Sequence, residues 1–214
     1  MIRLIIFDFD GTLGDTRANI VLTMTQTLSR LGYPVAGEAE IAATIGLPLE
    51  EGFAQLVPGL SPADVLFCAE TYRTLFDENR KTLVPQLFPH VKETLDRLKE
   101  RGYVMTVASS RLSKSLLEFL HDMGVAGDFS FVLGADNVTR AKPHPEPVLK
   151  TLKALGFPAE ETLVVGDMPV DILMGRSAGT RTCAVTYGNA SRDALVASGA
   201  DYVIDTFPEL LSLL

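Results

Sequence analysis

The sequence of 214 residues contains only two cysteines, Cys68 and Cys183, each among apolar neighbours. Two such thiols make no disulfide framework and suggest no metal site, so both read as reduced packing residues. Basic tracts are also missing, and the formal net charge is −8. Proteins that grip a phosphate backbone need local runs of lysine and arginine, so DNA and RNA are excluded as expected partners. Long apolar runs are absent as well: none approaches the roughly 18 residues of a membrane span. The first apolar stretch is about a strand long and carries no cleavage-site pattern. These absences predict a soluble, cytoplasmic protein with no membrane contact. Repeats and low-complexity segments are lacking too. The 47% hydrophobic content is ample for a core, in one domain with a large insertion or in two small ones.

What is present is organised around Asp8, Phe9, Asp10, Gly11, Thr12, Leu13, Gly14 and Asp15. Residues 4–7 lack polar alternation, as expected of a strand covered on both faces in a parallel sheet. Asp8 then stands where that strand ends, at the edge where open α/β sheets collect their ligands. Asp8 and Asp10 point the same way if strand geometry persists, and two such carboxylates repel each other. A divalent cation resolves the repulsion; Mg²⁺ accepts carboxylate oxygens, keeps several waters and can bridge to a substrate phosphate. The competing reading is a strand followed by an acidic glycine turn with no chemistry.

After Asp15, the spacing of Ile20, Leu22, Met24, Leu28 and Leu31 predicts a helix of roughly four turns that ends at Gly32. Further helical segments follow, with turns at 34–37, 46–48 and 58–62 and a long amphipathic stretch over 63–80. No strand-like run interrupts them, so residues 16–83 read as an inserted helical cap. From Val91 onward helices and strands alternate, with strands expected at 103–108, 129–133, 162–165, 182–186 and 202–204. Crossovers of this length imply parallel strands and right-handed connections. The expected fold is α/β, a doubly wound, Rossmann-like parallel sheet built from residues 1–15 and 84–214, with an all-helical cap inserted.

Three later strand ends carry polar groups. Ser109, Ser110 and Arg111 follow 103–108, and Ser109 reads either as a helix N-cap or as a hydroxyl at the active edge. Lys142 lies in a loop braced by Pro143, Pro145 and Pro147, which restricts its backbone; a lone lysine is otherwise solvent-facing. His144 beside it reads as a loop residue. Asp167 and Asp171 follow the apolar run 163–165. If a helix starts near Pro169, Asp171 falls in its first turn, where the dipole alone favours negative charge.

These four elements in this order, each after an expected strand, resemble the motifs of the haloacid dehalogenase superfamily, in particular its phosphatases. The cap segments Ile45-Gly46-Leu47-Pro48-Leu49-Glu50 and Tyr72-Arg73 resemble the phosphoglycolate phosphatase-like subgroup. The resemblance implies Mg²⁺-dependent hydrolysis of a small phosphomonoester through an aspartyl-phosphate. It makes Asp8 the nucleophile and Asp10 the general acid and base. Ser109 and Lys142 complete the catalytic set. It implies phosphate contacts at Phe9, Asp10, Ser109, Ser110 and Lys142, and metal ligation by Asp8, Asp10 (through its carbonyl), Asp167 and Asp171. Gly14 departs from the pattern, which commonly has a bulkier residue there. A dehalogenase has no use for so many carboxylates, and a phosphonatase would lack the acid at Asp10. A sugar phosphomutase would need basic residues in 45–50, which reads apolar, with Arg17, Arg73, Arg80 and Lys81 the cap cations that could replace them. A non-catalytic regulator that binds a phosphorylated metabolite would be expected to have lost one of these groups. The expected partner is a small phosphorylated metabolite, and the chain is expected to be a monomer or homodimer.

Overall fold

A computed structural model describes all 214 residues. Its central sheet starts with β1 (Leu4–Phe7), which is fully buried. The chain then turns through a short strand β2 (Gly14–Asp15) into four helices, α1 (Arg17–Arg30), α2 (Glu38–Ala42), α3 (Leu49–Leu56) and α4 (Pro62–Asn79). It returns through β3 (Gln86–Leu87), which pairs antiparallel with β2. The alternating part follows: α5 (Val91–Glu100), β4 (Val104–Ala108), α6 (Ser113–Asp122) and β5 (Phe131–Leu133). It continues with α7 (Glu146–Leu155), β6 (Thr162–Gly166), α8 (Pro169–Ser177) and β7 (Arg181–Val185), and ends with α9 (Arg192–Ala197), β8 (Tyr202–Ile204) and α10 (Leu210–Leu213).

Six strands pair in parallel in the order β5-β4-β1-β6-β7-β8. The alternation within β1 decides its two faces. Ile5 and Phe7 join a large core with Val91, Leu95, Leu116, Phe119 and Phe207, while Leu4 and Ile6 meet Val148, Leu152 and Met174 on the other side. Both faces are therefore covered by helices, which is why the strand sequence shows no polar alternation. The register sets Phe7 beside Val107 and Val165. The residues that follow, Asp8, Ser109 and the Gly166-Asp167 pair, consequently emerge side by side at one sheet edge.

Helices α1 to α4 cover that edge. Helix α1 buries Ile20, Met24 and Leu28 at i, i+4 and i+8, and its inward Thr23 and Thr27 hydroxyls each donate to the carbonyl four residues back. Helix α4 starts at Pro62, with Ser61 Oγ accepting from the Asp64 amide, and buries Cys68, Tyr72 and Phe76. Asn79 Nδ2 ties the two helices, donating to Thr23 Oγ1 at 2.9 Å and Gln26 Oε1 at 2.8 Å. The β2–β3 pair joins the two chain segments that lead into and out of this helical block.

The β2–β3 pair, α9 and α10 were not expected from the sequence. Each is too short to develop a period, the pair spanning two residues per strand. The fifth strand is shorter than 129–133, since the chain is still in a turn before Phe131. Both cysteines are free and buried. No helix is long and apolar enough to cross a membrane.

Candidate active site

The polar groups that the register brings together form a tight buried cluster. Asp8 extends the ladder of β1 by one residue, its amide donating to the Val165 carbonyl at 2.9 Å. Lys142 arrives from the loop before α7 and donates from Nζ to Asp8 Oδ1 at 2.5 Å and Asp171 Oδ1 at 2.7 Å. Asp171, in the first turn of α8, also accepts from the Met168 amide through Oδ2 at 3.0 Å. Asp167 accepts from Thr12 Oγ1 at 3.2 Å through one oxygen, and through the other from the Asn189 amide and side chain at 2.7 and 2.9 Å. Gly11, at φ +89°, makes room for this arrangement, because a Cβ there would stand 2.1 Å from Asp167 Oδ2.

Asp8, Asp167 and Asp171 can each offer an oxygen within 4.8 Å of the others, and all three are buried. Lys142 is the single cation in contact with the cluster, and its side chain is 2% exposed. The cluster therefore lacks positive charge, which shows in the carboxyl groups of Asp8 and Asp167. Burial pushes the Asp8 carboxyl well above its usual range, and Lys142 brings it only part of the way back. Asp167 is pushed up to about 7 by burial and then by Asp171. Burial would lower Lys142, yet Asp171 and Asp8 outweigh it and raise the ammonium's pKa. Hard, buried carboxylate oxygens at this spacing, short of cationic charge, fit a divalent cation.

Asp10 behaves differently from the simple expectation. The strand ends at Phe7, and the Phe9 carbonyl accepts the amides of Leu13 and Gly14, so Asp8 and Asp10 are separated by the turn instead of facing each other. The Asp10 carboxylate instead accepts from Arg111 Nε at 3.0 and 2.9 Å, from Arg111 Nη2 at 2.7 Å and from Thr16 Oγ1 at 2.6 Å. The Asp10 carboxylate is therefore engaged by Arg111 and Thr16 and lies outside the Asp8, Asp167 and Asp171 cluster.

The other expected residues fall around this pair. Ser109 is 8% exposed, its Oγ accepting from the Arg111 amide at 3.2 Å. Ser110 Oγ donates to the Gly46 carbonyl at 2.6 Å, linking this strand end to the loop between α2 and α3. The Phe9 ring is buried against Phe119, so only its backbone remains for a ligand. His144 Nδ1 accepts from the Glu146 amide, which makes it a loop brace before α7. Gly14 is explained by packing: a Cβ there would come 3.0 Å from the Phe9 ring.

A cavity of about 420 Å³ opens from Asp10 and Arg111 towards the helical block. Ile45, Leu47, Pro48 and Leu49 give it an apolar wall. Arg73 and Arg80 reach its lining, but Arg73 pairs with Glu50 at 2.6 Å and Arg80 with Glu118 at 2.9 Å. Arg17 instead pairs with Glu38 away from the cavity. Four residues that hold the site were given no role by sequence reasoning: Arg111, Thr12, Thr16 and Asn189. Each follows a strand or lies in the first turn, and position at the sheet edge was the signal available for them.

Comparison with known proteins yields a consistent result. A family model described as haloacid dehalogenase-like hydrolase matches residues 5–185. Probable phosphatase IndB of Dickeya dadantii is 39% identical over 210 residues, covering 97% of this chain and 91% of its own. A phosphoglycolate phosphatase of Photorhabdus laumondii is 34% identical, with 99% and 92% covered. The crystal structure of a predicted phosphoglycolate phosphatase from Haemophilus somnus superposes with a TM-score of 0.91 at 28% identity, covering 99% of this chain and 97% of that one.

Proposed function

The chain belongs to the haloacid dehalogenase-like hydrolases, and from that membership we propose that it is a phosphatase that hydrolyses small phosphomonoesters with Mg²⁺, through an aspartyl-phosphate on Asp8. The observation that carries this reading is Lys142 bridging Asp8 and Asp171, with Asp167 beside them, at the ends of adjacent parallel strands. Relatives that are named phosphatase or phosphoglycolate phosphatase support it.

In the proposed reaction an Asp8 oxygen attacks phosphorus and the bond from phosphorus to the alcohol oxygen breaks. Asp10 protonates the departing oxygen. Water then attacks the phosphorus and gives its proton to Asp10, the acyl-phosphate bond breaks, and the Asp8 carboxylate and inorganic phosphate are released. The Lys142 ammonium holds Asp8 in place and offsets charge on the phosphoryl oxygens, to which the Ser109 hydroxyl and Ser110 amide would donate. Mg²⁺ held by Asp8, the Asp10 carbonyl, Asp167 and Asp171 would supply further positive charge at those oxygens.

We read residues 16–83 as a cap and residues 1–15 with 84–214 as the catalytic core. The β2–β3 pair is then the hinge, and closure over the cavity would exclude bulk water. The apolar wall at Ile45, Leu47 and Leu49 argues for hydrolysis over phosphomutase chemistry. Arg73 and Arg80 are engaged by Glu50 and Glu118, which leaves the exposed Lys114 as the unpaired cation of the lining. A second phosphate buried against the apolar wall away from it would lose solvation, at a cost on the order of several kcal/mol. The test is a screen of small phosphorylated metabolites with and without Mg²⁺. Release of inorganic phosphate only with the metal is expected, and undiminished activity in EDTA refutes the metal assignment. Conversion of β-glucose 1-phosphate to glucose 6-phosphate in the presence of a bisphosphate activator would instead establish the mutase.

A further inference from the structure

Arg111 is a partly buried guanidinium for which the reaction above has no use. Its side chain is 11% exposed, and it takes both oxygens of Asp10 with a planar fork. The guanidinium is itself held. Its Cζ lies 4.7 Å from the ring centre of Phe76, 4.8 Å from that of Phe119 and 6.0 Å from that of Phe9. Phe119 belongs to α6 and Phe9 to the turn after β1, whereas Phe76 belongs to α4 in the helical block. Three rings drawn from three parts of the chain thus hold one cation, which stacks well on aromatic faces.

Asp10 has little else to orient it. Its carboxylate is outside the Asp8, Asp167 and Asp171 cluster, and Thr16 Oγ1 is its only other hydrogen-bond partner. A general acid must bring its oxygen within hydrogen-bond reach of the departing atom, so whatever fixes the carboxylate's plane governs protonation. We propose that Arg111 is a positioning residue that aims Asp10 at the leaving oxygen, and that the Phe76 contact ties this aim to the position of the helical block. The role rests on the phosphatase reading, since it requires Asp10 to be the proton donor.

The prediction is specific to the leaving group. Departure of a basic alcohol needs the proton from Asp10, whereas an activated phenolate departs nearly without it. Benzyl phosphate and 4-nitrophenyl phosphate have similar shapes and differ in this respect. For Arg111→Gln we expect kcat/KM for benzyl phosphate to fall about 100-fold and that for 4-nitrophenyl phosphate by less than about 10-fold, with inhibition by vanadate unchanged. Arg111→Lys should recover part of the benzyl phosphate rate. Phe76→Leu, which removes one ring without touching Asp10, should show the same bias at smaller size and serves if Arg111→Gln fails to fold. Equal losses on both esters would mean that Arg111 supports binding or folding only and would overturn the proposal, as would no loss on either. A wild-type protein inactive on both esters would instead overturn the phosphatase reading, and the role of Arg111 with it.

Discussion

Replacing Lys142 by methionine keeps most of the side-chain volume and removes the ammonium. Its Nζ stands 2.5 Å from Asp8 and 2.7 Å from Asp171, with the side chain 2% exposed, so no water can take its place without rearrangement. Removing one partner of a buried ion pair costs about 3–5 kcal/mol, because the remaining charge is left unpaired. Here two carboxylates lose their partner together, and Asp167 adds to the repulsion. Protonation can relieve part of this, since burial already favours the neutral form of Asp8. The loss should therefore be largest at pH 8 and smaller at pH 5. For a chain of this length 1 kcal/mol corresponds to about 2–4 °C in Tm, so a fall of roughly 6–20 °C is expected at pH 8 in EDTA. Mg²⁺ should recover part of it by supplying positive charge to the same oxygens. Turnover should fall by at least about 100-fold, as for other losses of a preorganised electrostatic group. Thermal melts at the two pH values, with EDTA or Mg²⁺, measure all of this. A variant that melts within about 2 °C of wild type at pH 8 in EDTA would refute the reasoning, because the ammonium would then not be offsetting the carboxylates.

Asp8→Asn should abolish turnover while leaving the melting temperature in EDTA unchanged or higher, since it removes one charge from an anionic cluster; a large drop in stability would contradict that electrostatic picture. Asp10→Asn should still bind vanadate but lose turnover, measured as kcat alongside the inhibition constant, and undiminished turnover would place the proton donor elsewhere. Asp167 has a folded pKa of about 7, above its unfolded value of about 3.9, so the metal-free fold binds the proton more tightly. The stability this group contributes is present below pH about 4 and is lost as pH rises towards 7. Mg²⁺ needs the ionised form, so its stabilising shift in Tm should be larger at pH 8 than at pH 5.5; equal shifts would count against Asp167 as a ligand. Closure of residues 16–83 about the β2–β3 pair should reduce the radius of gyration when Mg²⁺ and a phosphate analogue bind, and identical scattering profiles would argue against a moving cap.

Much of the fold was legible because its signals are local. The unbroken apolar run before Asp8 marks a strand covered on both sides, and the i, i+4 spacing of Ile20, Met24 and Leu28 marks α1. Strands separated by helix-length crossovers leave little choice but a parallel sheet. The two-residue strands β2 and β3 and the helix α9, less than two turns long, left no such signal. They are stabilised by partners distant in sequence, as Gly14 is by Leu87.

The chemistry of Asp8, Ser109, Lys142, Asp167 and Asp171 was determined by residue type and by order along the chain, since each follows or precedes an expected strand. Their convergence within hydrogen-bond distance was decided by the sheet, whose register aligns Phe7, Val107 and Val165 and so brings three strand ends to one place. Orientation was decided by tertiary structure alone. Asp8 and Asp10 are two residues apart and chemically identical, yet one faces Lys142 at 4% exposure and the other faces Arg111. The sequence carries both carboxylates, but their different environments depend on a turn that leaves the strand after Phe7 and on a guanidinium held by rings from α4 and α6. Such long-range packing has no period or spacing by which it could be read.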